Sequence, residues 1–99
     1  MSHPALIIRP EAELDLADTF AWYEEQAKGF GTSFLDAAEE ILERVQANPR
    51  LYPIVHKSVR RALMRRFPYA VFYVETNDSI TILSVMHGKR DPEHWRKRC

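Results

Sequence analysis

The sequence predicts an α+β fold in which two helices pack on one face of a mainly antiparallel sheet. In the first half of the chain, apolar residues recur with helical spacing in two successive segments, residues 10–27 and 33–47. A short apolar run precedes the first segment, and in the second half the apolar period shortens to two, as in strands. The predicted order is therefore β-α-α-β-β-β, a two-layer sandwich of a helical hairpin and a sheet.

The first strand and the first helix meet at Arg9 and Pro10. Residues 5–8 (ALII) are predicted to form the strand, and proline is favoured in the first turn of a helix. Glu11 and Glu13 follow, where the helix dipole favours negative charge. An apolar stripe runs along the predicted helix and consists of Leu16, Phe20, Tyr23 and Ala27.

A break with two glycines, KGFG at 28–31, separates the two predicted helices. Thr32 or Ser33 is the expected N-cap of the second helix, and Asn48-Pro49 is expected to end it. Because the connection is so short, the helices are predicted to form an antiparallel hairpin. The apolar stripe of the second helix consists of Phe34, Ala38, Ile41 and Val45.

Three strands are predicted after the hairpin. A loop begins at Tyr52-Pro53, and alternation over residues 59–67 predicts the first strand. Aromatic and β-branched residues at 69–75 predict the second strand, and residues 80–86 predict the third. The turn residues Thr76-Asn77-Asp78 lie between these last two strands, which favours a hairpin.

Length and composition predict one domain over residues 1–99, with a basic tail at 91–99. The 99 residues are 45% hydrophobic and 28% charged, which is typical of a globular chain and not of a disordered one. The longest uncharged apolar-rich run, residues 80–86, is far shorter than the ~20 residues of a membrane span. No secretory signal is expected, because no charged n-region followed by an apolar stretch is present at the N-terminus. No internal disulfide is expected, because Cys99 is the only cysteine. We therefore expect a reduced, cytoplasmic protein.

The formal net charge is zero, but the two halves of the chain differ in sign. Residues 1–50 contain four basic and ten acidic residues, whereas residues 51–99 contain ten basic and four acidic ones. A basic second half can attract nucleic acid, an acidic partner protein, or the acidic first half of its own chain. Glu24-Glu25 and Glu39-Glu40 of the predicted helices are assigned to solvated faces.

Four arginines are concentrated around the first strand of the second half. Alternation places Arg60 and Arg66 on one face of that strand and Arg61 and Arg65 on the other. A guanidinium group suits phosphate or carboxylate, so these arginines are candidates for binding a partner. The alternative is an edge strand whose charges only prevent aggregation.

The C-terminal stretch carries the candidate catalytic residues. Metal-independent RNA cleavage needs a base, an acid and cations, and His87, Arg90 and Arg65 have the chemistry for these roles. A structural role for His87 is the alternative, and Trp95 either stacks on a base or holds the tail on the sheet. The histidines lack zinc-ligand spacing and the glycines match no phosphate loop, so neither a metal nor a cofactor is expected.

A set of motifs spread over nearly the whole chain points to one family. They are RPEAELD at 9–15, WY at 22–23, NP at 48–49, YP at 52–53, RRFPY at 65–69, and VMHGKRDP at 85–92 followed by Trp95. In order and spacing they resemble the RelE/ParE superfamily of type II toxins. The resemblance implies a small bacterial or plasmid-borne toxin of a plasmid-stabilisation module, held by a cognate antitoxin in a hetero-oligomer.

Within the superfamily, RelE-like members cut mRNA on the ribosome, whereas ParE-like members inhibit DNA gyrase. Gly88-Lys89-Arg90 is similar to the RelE pattern that carries a catalytic arginine. However, the arginine that RelE has just after its strand tyrosine is replaced here by Ala70. An acidic first half also disfavours binding to the phosphates of a ribosome. The resemblance therefore favours a gyrase inhibitor of the ParE-like branch, with a ribosome-dependent endoribonuclease as the alternative.

Overall fold

The computed structural model describes residues 4–89 and 96–97. Its elements are β1 (Ala5–Ile8), α1 (Pro10–Gln26), α2 (Phe30–Ala47), β2 (Ile54–His56), β3 (Val59–Leu63), β4 (Tyr69–Thr76) and β5 (Ser79–His87). The predicted α+β sandwich is confirmed. The predicted order lacked one element, because the short strand β2 lies in the segment that was expected to be a loop.

The five strands form one sheet in the order β1-β5-β4-β3-β2. β1 runs parallel to β5, and every other neighbouring pair is antiparallel. β1 pairs only with the first part of β5, from Ala5 opposite Ser79 to Ile8 opposite Ile82. The N–H of Arg9 donates to the Ile82 carbonyl at 3.1 Å, and the chain then leaves the sheet to begin α1.

The turn between the helices is held by a carboxylate and not by the expected hydroxyl cap. α2 begins at Phe30, so the prediction of Thr32 or Ser33 as its N-cap was wrong. Gly29 adopts a φ of 92°, and Glu24 accepts the N–H of Gly29 at 3.0 Å and that of Gly31 at 2.9 Å. Glu24 therefore caps α2 from α1, and its assignment to a solvated face was also wrong.

Apolar side chains are buried on both faces of the sheet. The larger cluster joins Phe34, Ile41 and Val45 of α2 to Tyr73 and other residues of the central strands. The smaller cluster lies on the face away from the helices and comprises Val59, Ala70, Phe72, Leu83 and Met86. This division confirms that the helical hairpin packs on one face.

A β-bulge in β5 explains why its alternation changes phase. Phe72 lies opposite Ser84 and Tyr73 lies opposite Ile82, so Leu83 has no residue of its own opposite it on β4. The extra residue returns Val85 to the helix side and leaves Met86 on the other side. His87 consequently ends β5 on the same face as Val85, toward the helices.

Candidate functional site

Arg60 is used to hold the backbone between α2 and β2. It lies opposite Tyr73, and its Nη1 donates to the Tyr52 carbonyl at 2.6 Å and to the Arg50 carbonyl at 3.4 Å. The Tyr73 hydroxyl donates to the Pro49 carbonyl at 2.6 Å in the same region. Arg60 therefore has a structural role at this loop, and its part in partner binding stays a prediction.

The environment of Tyr73 keeps its phenol neutral. The side chain is fully buried. Burial is the main reason that the pKa of Tyr73 rises to about 12, and Tyr52 and Glu75 add to the rise while Arg60 opposes it. Arg50 pairs with Glu75 at 3.1 Å beside this tyrosine. At this end of the sheet, the polar groups around Tyr73 are paired with one another or with backbone carbonyls.

Arg61 lies on the opposite face of β3, as alternation predicted. It faces Phe72 of β4, beside the smaller apolar cluster, and its side chain is half-buried. Leu63, two residues further along the same face, is 57% exposed. Arg61 is therefore accessible to a partner on this face of the sheet.

Arg65 and Arg66 do not lie on the strand, so their predicted assignment to its two faces was wrong. β3 ends at Leu63, and the Met64 N–H donates to the Tyr69 carbonyl at 2.9 Å across a tight connection. Arg66 has a φ of 69°, which a strand does not contain. The Nε of Arg65 lies 4.0 Å from Glu40 of α2, and both side chains remain largely exposed.

His87 lines a cavity between the end of β5 and the first half of α1. The cavity has a volume of about 130 Å³ and is lined by Asp15, Asp18, Thr19, Tyr69, Val85, Met86 and His87. The rings of Tyr69 and His87 lie 5.3 Å apart, edge to face. The Nδ1 of His87 accepts the Lys89 N–H at 3.0 Å, so the neutral imidazole carries its proton on Nε2.

The wall that α1 contributes to this cavity is acidic. Asp15 Oδ2 accepts the Val85 N–H at 3.0 Å, which fixes α1 against β5, and Asp18 lies one turn further along the helix. With two carboxylates beside it, the cavity favours cations and hydrogen-bond donors and disfavours phosphate. One sign of this site is visible in the sequence, because Asp15, Asp18 and Thr19 have the i, i+3, i+4 spacing of one helix face.

Of the three candidate catalytic residues, the structure describes Arg65 and His87, and no described contact joins these two. Arg65 contacts Glu40 on α2, whereas His87 shares its cavity with residues of α1. Arg90 and Trp95 lie outside the described residues. Within residues 4–89 and 96–97, no three histidine, cysteine or acidic side chains are grouped so that they could hold a metal.

Large apolar side chains are exposed on the helical hairpin, around β2 and β3, and at Ile7 of β1. On the helical hairpin these are Leu14 at 61%, Trp22 at 54% and Phe30 at 48%, which we call the hairpin surface. Around β2 and β3 they are Leu51 at 67%, Ile54 at 55% and Leu63 at 57%, which we call the edge surface. Single apolar side chains are normal on a protein surface, whereas grouped ones are candidates for contact with other proteins. No helix in the part of the chain that the structure describes has the length and apolar character of a membrane span.

The fold is that of the ParE and RelE toxins. The chromosomal ParDE toxin–antitoxin system from P. aeruginosa gives a TM-score of 0.66 at 20% identity, covering 86% of this chain and 96% of that one. A mutant of the E. coli toxin RelE in the free state gives a TM-score of 0.68 at 14% identity, covering 98% of each chain. These two likenesses define the class by fold.

Sequence similarity identifies the family within this class. The chain matches the family described as ParE toxin of type II toxin–antitoxin system, parDE, over residues 6–92. It is also 31% identical over 84 residues to toxin ParE2 from two strains of Mycobacterium tuberculosis, covering 81% of this chain and 77% of that protein. The chain therefore belongs to the ParE toxin family of type II toxin–antitoxin systems.

Proposed function

We propose that this chain inhibits DNA gyrase by protein–protein contact and that a cognate antitoxin neutralises it. Its membership of the ParE family carries the proposal. The acidic wall beside His87 supports it, because a phosphodiester in that cavity would meet the like charges of Asp15 and Asp18. Ala70 adds to this, because it stands where RelE has a strand arginine. The Ala70 side chain is fully buried, so that position has no guanidinium group to offer RNA.

The hairpin surface is the contact that we assign to gyrase. Leu14, Trp22 and Phe30 are each about half exposed or more, and a large aromatic side chain such as Trp22 is typical of residues that dominate binding. Burying these side chains against a partner would remove apolar area from water without disturbing the core. The proposal thus places the target on the helices, away from the arginines around β3.

Gyrase supercoiling in the presence of the purified, antitoxin-free chain tests the proposal. Inhibition is expected at micromolar concentrations, and Trp22→Ala should weaken it about tenfold or more if that side chain anchors the contact. Ile54→Ala is the matched control, because Ile54 is 55% exposed but lies on the edge surface. Intact supercoiling with a folded chain would refute gyrase as the target.

A ribosome-dependent endoribonuclease is the second candidate, and His87 is the observation that favours it. The ring is partly exposed, and its Nε2 is directed away from the hydrogen bond that Nδ1 makes with Lys89. Labelling of DNA and protein synthesis just after induction separates the two functions. Early loss of protein synthesis that His87→Ala and Arg90→Ala abolish would establish cleavage, whereas early loss of DNA synthesis supports gyrase.

For the antitoxin we propose an apolar segment with acidic residues that meets the basic side chains around β3. Arg61 and Arg65 lie on different surfaces, one beside Phe72 and the other beside Glu40 of α2. Arg61→Glu and Arg65→Glu therefore test the two surfaces separately, and the one that loses affinity marks the antitoxin contact. Unchanged affinity for both variants would exclude the arginines from that contact.

A further inference from the structure

β5 is only half covered on the side of β1. β1 pairs with Ser79–Ile82, and after Arg9 the chain turns into α1. No strand among the described residues lies beside the rest of β5 on that side. In place of a strand, the Asp15 carboxylate accepts the Val85 N–H at 3.0 Å. An uncovered strand edge of this kind offers backbone groups to another chain.

The direction of the remaining backbone groups follows from the register. Tyr69 lies opposite His87, and the Tyr69 carbonyl accepts the Met64 N–H, so it points toward β3 and away from β5. Residues 69 and 87 therefore form a pair without mutual hydrogen bonds. The N–H and C=O of His87 consequently point to the open side of β5, as does the Val85 carbonyl.

The cavity adjoins this open edge. Val85 and His87 belong to its lining, together with Asp18 and Thr19 of α1. A backbone paired along the edge would therefore place its neighbouring side chain beside the Asp18 carboxylate and the Thr19 hydroxyl. With a volume of about 130 Å³, the cavity can hold one side chain.

We propose that the open half of β5 binds a short extended segment of a partner protein, with a basic side chain of that segment in the cavity beside Asp18. The backbone of the segment exchanges hydrogen bonds with the Val85 carbonyl and with the N–H and C=O of His87, so it adds a short strand in line with β1. The lysine or arginine side chain pairs with Asp18 and donates to Thr19.

The acidic wall determines which kind of partner fits. A nucleic acid or an acidic segment would bring negative charge beside Asp15 and Asp18, whereas a basic side chain brings the complementary charge. The site adjoins the hairpin surface, because Asp18 lies one helical turn from Leu14 and from Trp22 on α1. It is defined by backbone pairing along β5, so the inference goes beyond the proposed function and holds whether or not gyrase is the target.

Amide NMR spectra of the full-length chain with a blocked valine-threonine-arginine-threonine-valine peptide test the site. The His87 amide should shift, and its hydrogen exchange should slow as the peptide is added. Replacing the arginine of the peptide by citrulline, which has the same shape without charge, should weaken binding about two- to five-fold. A peptide with proline at the pairing positions should not shift the His87 amide, because it lacks the backbone donors.

Asp18→Asn locates the charge on the protein. It should weaken the arginine peptide to the level of the citrulline peptide and leave the citrulline peptide unchanged, which is the signature of one coupled pair. Asp36→Asn on α2 removes the same charge from another exposed position and should have no effect. No peptide binding, equal effects of Asp18→Asn and Asp36→Asn, or a His87 shift that depends on protein concentration alone would each overturn the proposal. The last result would assign the edge to a second copy of the chain.

Discussion

β4 carries two tyrosines on one face, and their surroundings differ. Around Tyr73, the phenol donates to the Pro49 carbonyl, Arg60 donates to the Arg50 and Tyr52 carbonyls, and Arg50 pairs with Glu75. Around Tyr69, the neighbours are the rings of Tyr23, Phe34 and His87 and the open cavity. The first end is built for stability, whereas the second leaves polar groups available for binding. Four predictions test this difference.

The largest effect is expected at Arg60. Arg60→Met keeps most of the side-chain length but removes the donors to the Tyr52 and Arg50 carbonyls, so the free energy of unfolding should fall by about 1.5–3 kcal/mol. Urea denaturation measures it. Arg61→Met is the matched control and should change stability by less than ~0.5 kcal/mol. Equal losses for the two variants would contradict a special role for Arg60.

Tyr73→Phe should have the next largest effect. It removes the donor to the Pro49 carbonyl and leaves that acceptor unpaired, at a cost of about 1–2 kcal/mol. Tyr69→Phe, four residues away on the same strand, should cost much less. Thermal unfolding of the two variants provides the comparison, and a larger loss for Tyr69→Phe would reverse our assignment of the two ends.

Alkaline pH should weaken the Tyr73 end selectively. The pKa of Tyr73 is raised to about 12 in the folded chain, mainly by burial, above the value of about 10 expected when unfolded. The unfolded chain therefore loses this proton first, and the stabilising contribution, complete below pH ~10, is lost as the pH rises toward 12. Tyr73→Phe should flatten this part of the stability profile. An unchanged slope in that variant would show that another group is responsible.

The smallest effect on stability is expected at Arg65. Its 4.0 Å contact with Glu40 is exposed, so Arg65→Ala should cost less than ~0.5 kcal/mol. Urea denaturation in low and in high salt should give the variant and the parent chain the same free energy of unfolding within that margin. A loss comparable to that of Arg60→Met would show that this end is also structural.

The sequence was sufficient for the helices and the long strands because their signals are local and repeated. Both helical stripes are long, and α1 and α2 end within one residue of the positions expected from Ala27 and from Asn48-Pro49. β2 was missed because it has three residues, follows Pro53, and is interrupted by a register shift between Ile54 and His56. A strand this short gives no periodic signal.

The errors at the candidate site arise from contacts between distant residues. Alternation correctly separated Arg60 from Arg61, but it could not show that β3 ends at Leu63 or that Arg66 takes a positive φ. The cavity joins Asp15 and Asp18 to His87, far apart in the chain, so no short motif contains it. Glu24 likewise acquires its role only when α2 packs back on α1.

The parallel pairing of β1 with β5 has a consequence for biosynthesis. Ala5 is synthesised long before its partner Ser79, and β5 also separates β1 from β4. A nascent chain that has not yet reached Ser79 can form the helical hairpin but cannot join β1 to the sheet. Such long sequence separation slows folding, because a large loop must close before the contact is gained. β1 therefore joins the sheet only after β5 has been synthesised, and the complete sheet forms only then.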